Sequence, residues 1–137
     1  MIVAKGEKVW VLRLLDGERL PEALAELGLL SAGVIAGIGM LRKLRMGYWN
    51  GKEYMEERVE EPVELLSLQG NLAEEGGRPF AHLHLVVGKE GGEALGGHLL
   101  SAVVHINAEI LVLPLSGIKL IRKAEPSGLK ILHLEEG

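Results

Sequence analysis

The chain has 137 residues and a mass of 14.8 kDa, which is the size of one domain, so residues 1–137 are treated as a single domain. Its 15 basic and 19 acidic residues leave a net charge of -4, a balance that argues against a general nucleic-acid-binding protein. Cysteine is absent, which excludes disulfides, thiolate zinc sites and a cysteine nucleophile.

The first predicted element is a buried strand over Lys8–Leu15, which is rich in Val, Leu and Trp. A helix is predicted over Leu20–Leu30, where Pro21 suits the first turn and leucines spaced three or four residues apart share one face. Gly28 is placed to end that helix. The sequence therefore predicts one strand and one principal helix before the pattern changes.

From Gly33 onward the pattern is typical of strands. Asn50-Gly51 is a strong hairpin signal, and Glu74–Arg78 (EEGGR) is predicted to be a flexible polar loop. One helix among many strands, without βα alternation, indicates an α+β fold with a mainly antiparallel sheet. The predicted strands are Val34–Ile38, Leu41–Trp49, Glu53–Glu57, Val63–Leu68, Phe80–Val87, Val103–Leu113 and Ile118–Arg122, with a Gly-rich stretch Ala94–Leu100 and a short strand Leu129–Leu134 in the C-terminal tail 125–137.

Histidines form the sharpest chemical feature of the sequence. His82 and His84 are two residues apart on a predicted strand, so their imidazoles project from the same face. His98 follows two glycines, which let backbone and imidazole approach a site closely. Three histidines can hold zinc and leave a fourth position open. The sequence therefore predicts a zinc site at His82, His84 and His98; the alternative is a pair of histidines on a solvated strand face.

Two carboxylates lie inside apolar strand segments, Glu64 in VELLSL and Glu109 in NAEILVL. A carboxylate there is costly unless it is paired or lies near a metal, so each is a candidate to orient a ligating imidazole. The alternative, which we favour slightly, is an outward-facing residue on a solvated strand. His105 and His133 are interpreted as structural residues.

A local basic and aromatic cluster combines Arg42, Lys43 and Arg45 with Tyr48 and Trp49. Such a cluster could hold a nucleic-acid backbone and stack a base. Half of a hairpin that faces solvent has the same pattern, and we favour that interpretation. No dinucleotide fingerprint, phosphate-binding loop, nucleophile elbow or HExxH motif is present.

Four ordered blocks of the sequence resemble the plants-and-prokaryotes-conserved (PPC) domain, a domain of unknown function. Its prokaryotic members are often labelled as candidate DNA-binding proteins with a PD1-like motif. The resemblance covers about residues 9–122. The blocks are GVIAGIGMLRKLRMGYWN, EPVELLSLQGNLA, FAHLHLVVGKEGGEALGGHLLSAVV and INAEILVL.

The resemblance implies a compact α+β domain that assembles as a homotrimer, and stand-alone prokaryotic members look like metal-binding proteins. The family's His-x-His and Gly-Gly-His motifs fall on His82, His84 and His98. In plants the domain follows an AT-hook, which grips the minor groove through an Arg-Gly-Arg-Pro core. Gly76-Gly77-Arg78-Pro79 lacks the first arginine, so it is not a hook.

The mean hydropathy is +0.20 although 25% of the residues are charged. We therefore expect apolar surface to be hidden in an oligomer, with a Leu-rich core as the alternative. Few amides and abundant Glu, Arg and Leu are typical of a thermostable protein from a thermophilic source, and the alternative is a GC-driven codon bias. No apolar run reaches 18 residues and the first residues do not resemble a signal peptide, so we expect a cytoplasmic protein.

The functional expectation is a trimeric, zinc-binding protein of the PPC family without an established biochemical role. The alternative is a DNA-associated regulatory protein without an AT-hook. The sequence offers no convincing general base beyond Glu64 or Glu109, so catalysis is not predicted. If the protein is an enzyme, zinc-dependent hydrolase or lyase chemistry is expected.

Overall fold

Strands make up most of the computed structural model, which describes residues 1–137. The only helix, α1, covers Glu22–Ala25. With four residues, it is far too short to span a bilayer. The strands are β1 (Ile2–Lys5), β2 (Trp10–Leu15), β3 (Arg19–Leu20), β4 (Ser31–Trp49), β5 (Tyr54–Val59), β6 (Val63–Glu75), β7 (Arg78–Gly88), β8 (Ala94–Pro114), β9 (Ile118–Ala124) and β10 (Lys130–Glu136).

The ten strands belong to one sheet, whose main order is β1-β2-β8-β4-β6-β9-β10. All pairings are antiparallel except a single parallel contact between Glu74 of β6 and Ile121 of β9. Strand β7 pairs with both β6 and β8, while β4 also pairs with both. These four strands therefore close into a ring, and the sheet curls around its own apolar core.

Two long strands each join segments that the sequence predicts separately. The predicted strands Val34–Ile38 and Leu41–Trp49 are both parts of β4, and the Gly-rich stretch Ala94–Leu100 continues into β8. Gly39 allows β4 to continue because a Cβ there would lie 2.4 Å from the carbonyl oxygen of Asn107. The glycines thus permit close strand contact instead of ending the strands.

The Asn50-Gly51 hairpin prediction is confirmed, since the Asn50 amide donates to the Glu53 carbonyl between β4 and β5. The predicted flexible loop 74–78 is shorter than expected. Only Gly76 and Gly77 form the turn, and both have positive φ; the flanking residues extend β6 and β7.

The predicted helix Leu20–Leu30 is wrong in length, and α1 is a minor element. Leu20 instead pairs with Ala102 of β8, so β3 takes the start of the segment. Gly28, at φ 72°, donates from its amide to the Ala25 carbonyl and turns the chain away. Leu24 remains fully buried, so the apolar face that predicted a helix does enter the core.

Alternation along β7 fixes the side on which its histidines lie. Leu83, Leu85 and Val87 are at most 1% exposed and point into the core. His82 and His84 alternate with them and point the other way. Burying one leucine contributes about 1.5–3 kcal/mol, so a slip of one residue, which would bury the imidazoles instead, is strongly disfavoured.

Candidate metal centre

Three histidines meet at the junction of β7 and β8. His84 lies directly opposite His98 in the β7–β8 register, and His82 is two residues away on the same face of β7. The three ring centroids are 5.0–5.3 Å apart in pairs. One ring nitrogen of each histidine lies within 4.8 Å of the others. The structure therefore brings together the three residues that the sequence singles out.

The spacing of the His82 and His84 nitrogens is close to that of two ligands on one metal ion. With zinc–nitrogen bonds of 2.0–2.1 Å, two ligands at a tetrahedral angle are about 3.3 Å apart. The Nε2 atoms of His82 and His84 are 3.1 Å apart. His98 is available as a third ligand because its buried Nδ1 has no hydrogen-bond partner. These donors suit zinc, which imidazole binds well.

Arg122 orients His82. Its Nη2 donates to the Asn71 Oδ1 at 2.8 Å and to the His82 Nδ1 at 2.9 Å, while Nη1 donates to the Lys130 carbonyl at 3.1 Å. Because a guanidinium can only donate, His82 Nδ1 must accept, and the proton of the neutral ring sits on Nε2, facing His84. The neighbour of His82 is thus a cation, in place of the carboxylate or carbonyl acceptor that usually supports a metal-binding histidine.

Burial keeps two of the imidazoles neutral. Burial, followed by the charges of Arg122, His98 and His84, lowers the pKa of His82 to about 4. Burial, followed by the charges of His84 and Arg122, also lowers the pKa of His98. Neutral imidazoles are the form that binds a metal near pH 7. Coordination through the His82 Nε2 also requires its proton to move to Nδ1, which ends the hydrogen bond from Arg122.

Tyr54 supports His98 from the side of β5. The two rings are stacked with centroids 4.6 Å apart, and Trp49 meets Tyr54 edge-on at 5.2 Å. Gly47, which lies opposite His98 on β4, makes room for this stack, since a Cβ there would come within 2.8 Å of the Tyr54 ring. Sequence reasoning missed Tyr54, although its place just after the Asn50-Gly51 turn could have located it next to Trp49.

Sequence reasoning also missed Arg122. In the segment IKLIRKA, Arg122 is two residues from the buried Leu120, so both side chains lie on the same face of the strand. That spacing is the sequence signal that could have indicated a buried arginine.

A cavity of about 420 Å³ opens beside the histidines. One side consists of aromatic residues and another of the segment that joins β9 to β10. Its lining contains two cations and no acidic residue. The lining residues are Trp49, Tyr54, Phe80, His82, His84, His98, Arg122, Gly128, Leu129, Lys130, Ile131 and Leu132.

The two candidate carboxylates lie elsewhere. Glu64 and Glu109 are exposed and line a separate shallow hollow beside Ile38. Neither makes a hydrogen bond or ion pair with a histidine, so the structure does not bring them to the cluster. His105 Nδ1 lies 3.1 Å from Arg42, and His133 faces Glu125 at 3.6 Å; neither residue lines the cavity.

Carboxylates offset most of the charge of the predicted basic cluster. Arg42 donates to Asp16 at 2.7 Å, and Arg45 donates to Glu56. The hydrogen bond from Arg42 keeps the pKa of Asp16 below its usual range, and hydrogen bonds from Arg45, then Arg58, lower the pKa of Glu56 to about 2.

Both carboxylates are therefore charged at pH 7. Lys43, an exposed residue on a bulge at φ 50°, is left without an acidic partner. The nearby aromatic residues are divided, because Tyr48 faces solvent while Trp49 lines the cavity.

Two solved structures are similar over almost the whole chain. The metal-containing protein from Archaeoglobus fulgidus is 35% identical, with a TM-score of 0.84 and coverage of 97% of this chain and 99% of that one. A candidate DNA-binding protein from Bacteroides thetaiotaomicron is 29% identical, with a TM-score of 0.88 and coverage of 96% of both chains.

A longer protein contains a similar segment. The bifunctional protein GlmU from a Synechococcus strain is 32% identical over 136 residues, which cover 93% of this chain but only 20% of GlmU. The chain thus spans about a fifth of the length of that relative. The model of the Plants and Prokaryotes Conserved (PCC) domain matches residues 1–116, which include all three clustered histidines. The chain therefore belongs to the Plants and Prokaryotes Conserved domain family.

Proposed function

We propose that this chain is a metal-binding protein that holds zinc through His82, His84 and His98. The observation that carries the proposal is the convergence of three imidazole nitrogens within 4.8 Å of one another. The similar protein from Archaeoglobus fulgidus, described as metal-containing, supports it. Zinc bound there would supply a Lewis acid with one open coordination position.

The metal content of untagged protein tests this proposal. We expect about one zinc per chain by mass spectrometry, and we expect the double variant His82→Ala/His84→Ala to lose it. The matched control is His105→Ala/His133→Ala, which removes two imidazoles outside the cluster. A double variant that retains its full zinc content, or a control that loses it, contradicts the assignment.

We further propose that the protein assembles as a homotrimer through exposed apolar sheet surface. Val11 of β2 and Leu111 of β8 are directly opposite each other and are 48% and 38% exposed. Ile35 and Ile38 of the neighbouring β4 are 53% and 54% exposed. Such a patch favours association, and a closed symmetry buries it without open-ended growth. The stoichiometry of three rests on the family resemblance.

Light scattering tests the assembly. We expect a mass about three times 14.8 kDa that does not change through the micromolar concentration range. A monomer contradicts the role given to the apolar surface, whereas a dimer contradicts only the stoichiometry.

DNA association is a second candidate function, supported by the description of the Bacteroides thetaiotaomicron relative. The charges of this chain weaken it, because the net charge is -4 and Arg42 and Arg45 are bonded to carboxylates. Metal binding is therefore the function that the geometry supports best.

A further inference from the structure

The cavity beside the histidines contains a buried positive charge with no negative partner. Arg122 is only 7% exposed, and its hydrogen-bond partners are the side-chain oxygen of Asn71, the Lys130 carbonyl and the imidazole of His82, all of them neutral. No carboxylate lies within ion-pair distance of its guanidinium. A buried charge without a counter-charge is costly, so an anion from outside the chain would be strongly favoured here.

The guanidinium also has donors to spare. Three of its five N–H groups are used, and its Nε is buried without an acceptor. Lys130, the other cation of the cavity, is already paired with Glu75 at 2.7 Å. One uncompensated cation with free planar donors matches a singly charged carboxylate.

The remaining walls suit a flat apolar group. Phe80, Trp49 and Tyr54 line the cavity together with leucine and isoleucine side chains, and no acidic residue is present to repel an anion. A volume of about 420 Å³ lies within the usual range for small-molecule sites, which combine apolar walls with a few polar groups.

We propose that this cavity binds a small organic anion, a carboxylate carried on a flat apolar ring, with the carboxylate against Arg122 and the ring between the aromatic walls. The inference deepens the proposed function and rests on it in one respect: zinc held by the histidines would add positive charge beside the cavity. Anion binding is then expected to be tighter in zinc-loaded protein than in metal-free protein.

Titration of the full chain with benzoate, benzamide and acetate tests the proposal by calorimetry or ligand-observed NMR. Benzamide has the shape of benzoate without its charge, and acetate has the charge without the ring. We expect saturable benzoate binding, at least ten-fold tighter than that of either control. Equal affinity for benzoate and benzamide, or no benzoate binding to either form of the protein, overturns the proposal.

Substitutions locate the anion. Arg122→Gln is expected to abolish the preference for benzoate over benzamide, whereas Arg13→Gln, at an exposed arginine that does not line the cavity, keeps it. Phe80→Leu retains the cation and is expected to weaken benzoate binding by removing an aromatic wall. If Arg122→Gln does not fold, the comparison of benzoate with benzamide and acetate on the unsubstituted chain still tests the proposal.

The two proposals fail separately. If the protein takes up no zinc, yet the metal-free form prefers benzoate in a manner that depends on Arg122, the anion site stands and the zinc assignment is wrong. If zinc binds stoichiometrically but benzoate and benzamide behave alike, the metal site stands and the anion site is wrong.

Discussion

Replacing Gly70 with alanine is expected to damage the fold and the metal centre together. Gly70 on β6 lies opposite Leu83 on β7, and a Cβ there would be 1.9 Å from the carbonyl oxygen of His82. Carbon and oxygen atoms do not approach within 3.0 Å in such contacts, so the backbone of β7 must move by at least about 1 Å at His82.

The expected size of the effect comes from this overlap. Overpacking costs about 1–3 kcal/mol in a core where side chains can adjust, and backbone atoms adjust less, so about 3 kcal/mol or more is expected. For a chain of this length, that lowers the melting temperature by roughly 10 °C. A shift of about 1 Å also exceeds the tolerance of a metal site, so zinc affinity should fall at least ten-fold.

Gly76→Ala is the matched control. Gly76 forms the β6–β7 turn, where a Cβ would meet nothing within 4 Å, so only its φ of 58° is unfavourable. That strain costs about 1 kcal/mol and leaves the histidines in place. Thermal unfolding followed by circular dichroism and zinc affinity by chelator competition are the measurements. If Gly70→Ala and Gly76→Ala have the same melting temperature and the same zinc affinity, the close approach of β6 and β7 does not determine the position of His82.

Three further outcomes are expected. The pKa of the His82 imidazole is lowered to about 4 in the folded chain from an ordinary 6.5, so only the unfolded chain takes up a proton as the pH falls through 6.5. The free energy of unfolding of metal-free protein should therefore drop between about pH 6.5 and 4, by about 1–2 kcal/mol after allowance for solvent screening. In denaturant titrations, His82→Asn should flatten this dependence on pH. Leu83→Ala, at a buried position, is expected to cost about 2–5 kcal/mol, whereas Val86→Ala, at a position 37% exposed, should cost much less; equal costs by denaturant titration would contradict the assigned faces of β7. Binding to a defined DNA duplex is expected to be weak at physiological ionic strength, because the net charge is -4, and sub-micromolar, salt-sensitive binding in a fluorescence anisotropy titration would contradict this.

Local spacing made the histidine cluster predictable. His82 and His84 share a face because strands alternate, and that rule needs no knowledge of the rest of the fold. The direct pairing of His84 with His98 depends on the β7–β8 register, which alternation along a single strand does not determine. The position of Arg122 could not be predicted, because it reaches the cluster through a contact between β9 and β6 that is distant in sequence.

The helix shows the opposite case, in which a local pattern is misleading. Leucines at helical spacing before Gly28 predict a long helix, but pairing of Leu20 with β8 takes the first part of the segment into the sheet. Tertiary contacts outweigh a weak intrinsic preference in so short a segment. Similarly, the sequence predicts separate strands Val34–Ile38 and Leu41–Trp49 on either side of Gly39, although close backbone contact there lets β4 run through.

The hairpin of β9 and β10 gives the chain a modular organisation. All three histidines lie within residues 1–116, the region that the family model matches, whereas Arg122 and the wall formed by residues 128–132 come after it. The hairpin joins the rest of the sheet through a single strand contact. Side chains add the bonds of Arg122, the bond from the Ser31 hydroxyl to the Ile118 carbonyl, and the contacts of Lys130 with Glu75 and Phe80. Under the functions proposed above, the metal ligands and the aromatic walls belong to the matched region, whereas the cation that holds the carboxylate belongs to the hairpin. A relative with a different residue in place of Arg122 would change both the charge offered to the ligand and the support of His82, while the other two histidines keep their surroundings on β7 and β8.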